Sequence, residues 1–309
     1  MAGKQNLRLT GRRHEGAIAR PTVAGPAARP VNATALARDR QAGRVQVVGY
    51  DSGLAALSYD PVSGVEGEPD DPALLLAEAG DVTREPLTPG VDLAYTLGSR
   101  HCAGKLDGAG HEACAEPGAP YCSTHADDWP CARCTGNCDK PLPSCDAEHA
   151  VYLAAFAPDV LKVGVTRLAR LPVRLREQGA DRAAHLHTVS DGRIARRVER
   201  ELAEALVDRV TARTKLAGLG EAVDEAVWAD ALDRYHVIRS FRFDYGFELA
   251  DRPVAETLAT GTVVGTKGRL LVLGRGGGTY AVDLRDLVGY DLEPGASDRD
   301  LQASLGAFG

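Results

Sequence analysis

All seven cysteines of this chain fall in one short window: Cys102, Cys114, Cys122, Cys131, Cys134, Cys138 and Cys145. The rest of the 309 residues hold none. Core cysteines scatter along a chain, so a cluster of this kind means cross-linking or metal ligation. The number is odd, and the N-terminus, Met1 to Asn6, is polar with no apolar signal core. A reducing compartment, the cytoplasm, is therefore expected, and metal ligation is favoured over disulfides. Cys131-x2-Cys134-x3-Cys138-x6-Cys145 supplies four thiolates from a short stretch, a spacing that lets single turns aim two sulfurs at one ion. Cys102, Cys114 and Cys122 need a fourth ligand, and His125 stands at a suitable interval after Cys122. Two zinc ions are expected, with an iron–sulfur cluster as the alternative for the four-thiolate set. His101, His111 and His149 compete as ligands: His111 could replace Cys114 and His149 could replace Cys145, whereas His101 adjoins Cys102 too closely for both to bind. The window is rich in Gly, Pro, Asp and Ala and poor in large apolar residues, so bound ions would supply its folding energy. Sites filled by four protein ligands leave no open position for water, which makes a structural role the expectation.

Around this window the chain reads as an α+β multidomain protein with β-rich ends. Residues 1–43, rich in Arg, Ala, Gly and Pro without apolar periodicity, read as a flexible arm. Residues 44–100 carry short apolar runs, Val45–Tyr50, Leu54–Tyr59, Ala73–Leu76 and Val91–Leu97, and read as a small β-rich domain. The zinc module spans 101–149. Residues 150–216 change character. Ala150–Ala157 and Val160–Val165 flank Pro158-Asp159 as a hairpin. Pro172 can open a short helix that Gly179 closes. Ala184–Val189 is a third strand, and Ile194, Val198, Leu202, Leu206 and Val210 give a long helix its apolar stripe. The order is ββαβα. Residues 217–309 read as a helix, with Val223, Val227 and Leu232 inward, followed by a second small β-rich domain with strands at Thr260–Val264, Arg269–Leu273 and Thr279–Val282. Val48-Gly49-Tyr50-Asp51 recurs as Val288-Gly289-Tyr290-Asp291, a match of four residues that chance also produces.

Charge is distributed unevenly. The chain carries a net −7, yet residues 160–215 hold thirteen Lys or Arg against seven Asp or Glu. A basic segment inside an acidic protein points to a polyanion, here nucleic acid, although arginines also simply decorate helix surfaces. No apolar run is long enough to cross a bilayer, so no membrane partner is expected.

Val151-Tyr152-Leu153 followed by Lys162-Val163-Gly164 resembles the paired motif of the GIY-YIG nuclease superfamily, whose two motifs lie on neighbouring strands. The resemblance covers about a fifth of the chain. It implies that Tyr152 matches the first-motif tyrosine, Gly164 the second-motif glycine, Arg174 the catalytic arginine and Glu199 a glutamate holding magnesium or manganese. Ala150 and Lys162 depart from the pattern, replacing a glycine and a tyrosine; Lys162 could bind phosphate or stabilise an oxyanion in the tyrosine's place. In this reading Tyr152, Lys162, Arg174 and Glu199 are catalytic and converge on one cleft, with Arg167 and Arg170 on the flanking backbone. The whole chain also resembles an uncharacterised prokaryotic family, domain of unknown function 2797. That likeness rests on the cysteine cluster, Val151-Tyr152-Leu153-Ala154, Leu161 to Arg167, Glu177-Gln178-Gly179-Ala180, Arg196, Glu199 and Gly265-Thr266-Lys267-Gly268. Two functions follow as expectations: a metal-dependent nuclease, or a non-catalytic zinc protein that binds nucleic acid or a protein partner. Bland roles stand beside both: a packed core tyrosine at Tyr152, and ion pairs at helical spacing for Arg174 with Glu177.

Overall fold

A computed structural model describes residues 44–108, 110–126, 136–138, 143–203 and 210–299. The N-terminal arm, Cys131, Cys134 and Leu206 lie outside the described residues. The strands are β1 Val45–Asp51, β2 Ser58–Asp60, β3 Gly64–Glu66, β4 Ala73–Glu78, β5 Asp81–Pro86, β6 Asp92–Arg100, β7 Lys105–Asp107 and β8 Gly110–Glu112 before the hairpin. After it begins come β9 His149–Phe156, β10 Val160–Arg167, β11 Arg182–Val189, β12 Arg239–Arg242, β13 Val254–Ala255, β14 Ala259–Lys267, β15 Leu270–Arg275, β16 Gly278–Asp283 and β17 Tyr290–Pro294. The helices are α1 Leu171–Glu177, α2 Gly192–Ala203, α3 Ala212–Ala217, α4 Glu225–Leu232 and α5 Leu284–Leu287.

Strands from both β-rich ends of the chain join one 11-stranded sheet, in the order β13-β16-β15-β14-β6-β17-β1-β4-β5-β8-β7. Its middle is a pairing between distant segments: β17 lies antiparallel to β1, with Val45 opposite Leu292 and Gln46 opposite Asp291. The repeated Val-Gly-Tyr-Asp sequences thus fall on and beside two neighbouring strands. One core, including Val47, Leu74, Leu87, Tyr95, Leu271, Val282 and Leu287, draws on both ends.

The four-stranded sheet has the order β10-β9-β11-β12 and buries β9 along its whole length. Alternation on β9 sends Val151, Leu153 and Ala155 into a cluster with Ala195, Val198 and Leu202 of α2 and Trp228 and Ala231 of α4. It sends Ala150, Tyr152, Ala154 and Phe156 to the other face, against Leu171 and Leu175 of α1. The element order β9-β10-α1-β11-α2 agrees with the sequence reading. Pro172 sits in the first turn of α1, and Gly179 follows its end with φ +70.

Three segments depart from expectation. Val210, expected on the apolar stripe of the long helix, lies outside any helix and packs with Tyr152, Leu171 and Leu175 on the other face of the sheet. Of Leu54–Tyr59, only Ser58 onward is strand; Leu54 and Leu57 instead bury themselves against Val173 of α1. The expected helix over residues 217–237 is confined to α4, where Asp224 caps the N-terminus by accepting from Ala226 and Val227. No helix among the described residues is long and apolar enough to cross a membrane.

The two sheets meet at two glycines. Gly179 and Gly268 both have positive φ, and a methyl group added to Gly268 would sit 2.6 Å from the Gly179 nitrogen. Beside this contact Lys267 donates to Asp181 at 2.6 Å, a pair with little exposure. The segments Glu177–Ala180 and Gly265–Gly268 are therefore one joint between the sheets.

Candidate metal centre and basic cleft

Cys102 lies two residues after β6 and Cys114 two residues after β8, so the sheet fixes two ends of the metal loop. The ligand atoms of Cys102, Cys114, Cys122 and His125 all lie within 4.8 Å of one another, a group that could hold a metal ion. His125 Nδ1 is 3.4 Å from the sulfurs of both Cys102 and Cys122. The backbone N–H groups of Gly104 and Cys122 point at the Cys102 sulfur, at 3.4 and 3.3 Å. Burial opposes ionisation of Cys122, but the backbone N–H groups of Thr124 and His125 outweigh it and hold the thiol at about 6. Three sulfurs and one imidazole in this disposition suit zinc. The two rival histidines of this segment are engaged elsewhere. His111 Nε2 lies 2.7 Å from the Ala103 carbonyl. His101 bridges the Cys114 carbonyl at 2.9 Å and Asp291 at 3.1 Å, tying the metal loop to β17.

Of the four-thiolate set, Cys138 and Cys145 are described, and both dock on the start of α2. The Cys145 carbonyl accepts from Gly192 at 2.7 Å, and the Cys138 carbonyl from Arg193 at 2.7 Å. A methyl group on Gly192 would lie 3.1 Å from His149 Nε2 and 3.2 Å from the Cys145 sulfur, so Gly192 gives these two side chains their room.

Of the four residues expected to be catalytic, two line one cavity and the other two lie outside its lining. Lys162 and Arg174 line a cavity of about 660 Å³ between the two sheets. Tyr152 is buried beneath it, with its hydroxyl accepting from Gln178 at 2.5 Å. Burial raises the Tyr152 phenol above its ordinary value, with the Arg174 charge opposing and the Glu199 charge adding to the rise. The Tyr152 ring lies over Gly164, its register partner on β10, where a methyl group would meet the hydroxyl oxygen at 2.5 Å. Gly164 is thus glycine for space. Glu199 comes from α2, the helix on the opposite face of the sheet, and accepts from Arg196 at 2.7 Å. Arg170 lines the cavity; Arg167 stands exposed at the far end of β10.

Sequence reading missed several polar members of this cleft, among them Tyr50, Asp51 and Ser52. Gln178, Lys215 of α3 and Arg269 of the β14–β15 turn join Lys162, Arg170 and Arg174 there. The opposing carboxylates are Asp51 and Glu177, and both are engaged: Asp51 by Arg84, Glu177 by Arg170 at 2.8 Å and Arg174 at 3.4 Å. Lys215 lies 5.2 Å from the centre of the Phe156 ring. Burial, and then the charges of Arg269, Lys162 and Arg174, push its ammonium down to about 8. The scarcity of lysine in the sequence marks Lys162 and Lys215 alike, but nothing local brings Arg269 to them.

Fold and site together define a strand-rich α/β protein with a Cys3His group able to hold a metal ion. Within that class the chain belongs to the family described as "Protein of unknown function (DUF2797)", whose model matches residues 131–292, more than half of its length. The match takes in the four-stranded sheet, the helices and the last strands of the large sheet, and begins beyond Cys102, Cys114, Cys122 and His125. No curated protein and no solved structure matches the chain.

Proposed function

We propose that this protein binds nucleic acid in the basic cleft, with a structural zinc ion held by Cys102, Cys114, Cys122 and His125. One observation carries the reading: five cations, Lys162, Arg170, Arg174, Lys215 and Arg269, line one cavity whose carboxylates are two, Asp51, paired with Arg84, and Glu177, shared by Arg170 and Arg174, while Arg269 also pairs with Asp283 behind it. Like charges gathered around a half-buried amine repel one another, and a polyanion relieves that repulsion. Arginine forks grip phosphate oxygens bidentately, and lysines add point charge. The test is fluorescence anisotropy with labelled RNA and DNA across a salt series, comparing wild type with Lys162→Met and Lys215→Met. Binding that weakens with salt and falls in both variants supports the proposal, since each lost phosphate contact lowers the salt slope by about one. Binding unchanged in both variants overturns it.

Phosphodiester hydrolysis, in a GIY-YIG-like domain with magnesium or manganese at Glu199, is the second reading. It is favoured by the contact of Arg174 with the Tyr152 hydroxyl and by the Glu199 charge felt there. Incubation of labelled RNA and DNA with either metal, comparing wild type with Glu199→Ala, decides between them: cleavage lost on substitution favours hydrolysis, and no cleavage by wild type leaves binding alone.

A further inference from the structure

The two walls of the basic cleft differ in chemistry. Tyr50, Ala55 and Leu75 line it from the large-sheet side, joined by Val173 and Val210. Lys162, Arg174 and Lys215 line it from the other side, Arg269, paired with Asp283 at 2.7 Å, adds a fourth cation, and Asp51 and Glu177 are its carboxylates. Tyr50 is half-buried near the end of β1, and among the described residues its hydroxyl has no hydrogen-bond partner. Its phenol is raised by burial, with the Arg269 charge opposing, which places the ring and the Arg269 guanidinium within electrostatic reach of one another. At about 660 Å³ the cavity has the volume of a small-molecule site. Glu177 and Gln178 at one side and Gly268 at another bound it, and the glycine joint between the sheets holds those edges in place.

We infer that the cleft takes a single nucleotide unit, with the base against Tyr50 and the phosphate on Lys162, Arg174, Lys215 and Arg269. This rests on the nucleic-acid reading and sharpens it. A polynucleotide is then held by one terminal or everted unit rather than along its backbone. Aromatic stacking accepts any base, so the site discriminates phosphate state and accessibility of the unit more than sequence.

The test uses the full chain with adenosine monophosphate, inorganic phosphate and a series of oligonucleotides of increasing length, each competing with a labelled single strand. The expected result is that the mononucleotide displaces the strand and that affinity rises little with length. Tyr50→Leu keeps an apolar residue in the strand and weakens the mononucleotide by about tenfold, whereas Tyr50→Phe retains it. An affinity that climbs with every added nucleotide, with no displacement by the mononucleotide, overturns the inference and leaves nucleic-acid binding standing. Inorganic phosphate competing as well as the mononucleotide also overturns it, because the base then contributes nothing. A mononucleotide that binds where no oligonucleotide does supports the pocket and overturns the polymer reading.

Discussion

Lys215 lines the cleft and Gly164 makes room for Tyr152, and a single substitution tests each. The Lys215 ammonium is pushed down to about 8 by burial and by its cationic neighbours. The unfolded chain holds a lysine near 10.4. Between those values the unfolded state binds the extra proton, so this group's contribution to stability is least favourable below pH 8 and improves as pH rises towards 10. Lys215→Met is therefore expected to raise the melting temperature at pH 7 by a few degrees, and the gain over wild type should shrink by pH 10, as differential scanning fluorimetry can follow. Anion binding has the opposite sign. A bound phosphate raises the Lys215 pKa, so affinity is full below about pH 8 and falls as pH rises beyond it; a titration of mononucleotide affinity from pH 6 to 10 should show that fall in wild type and not in Lys215→Met. Gly164 answers to packing alone. Gly164→Ala places a methyl group against the Tyr152 hydroxyl, and equilibrium denaturation should register a loss of about 1–3 kcal/mol. The glycine was visible in the sequence; its reason, a tyrosine ring lying across the pleat, was not.

Elements were legible where their signals are local. The hairpin at Pro158-Asp159, the helix between Pro172 and Gly179 and the alternation of β9 all follow from patterns within a few residues. Leu54 and Leu57 misled because two leucines near a glycine read as strand, while their partner, Val173, lies far along the chain. The joint between Gly179 and Gly268 belongs to this scale. Each glycine has a left-handed backbone and touches the other, so Gly268→Ala suffers both backbone strain and a backbone clash. The expected cost exceeds about 2 kcal/mol by denaturation, and because Gly268 also borders the cleft, nucleotide affinity should fall with it.

On the scale of the whole molecule, the metal centre was the most legible feature, since its four ligands lie within one short stretch and chemistry limits which side chains can serve. Chelation of the purified protein, or Cys102→Ser, should remove one zinc per chain from the Cys102–His125 site and lower the melting temperature, because His101 and Asp291 link that loop to the middle of the large sheet. An ion count and melting temperature unchanged by Cys102→Ser would refute this assignment. The cleft was least legible: Tyr50, Lys162, Lys215 and Arg269 come from four separate segments, and sequence carries no sign of which distant segments meet. The same holds for the large sheet, whose two ends looked like separate small domains by composition.

That sheet has a consequence for the order in which the protein is made. β17 lies between β1 and β6, so the strand that completes the middle of the sheet is made after every other described strand. Until Leu292 emerges, β1 is paired only with β4 and presents one open edge, and β6 waits for the same neighbour. Until β14 is made, β6 lacks both neighbours, so the nascent chain carries three unmatched strand edges through most of its synthesis, a period in which pairing with another chain competes with closure.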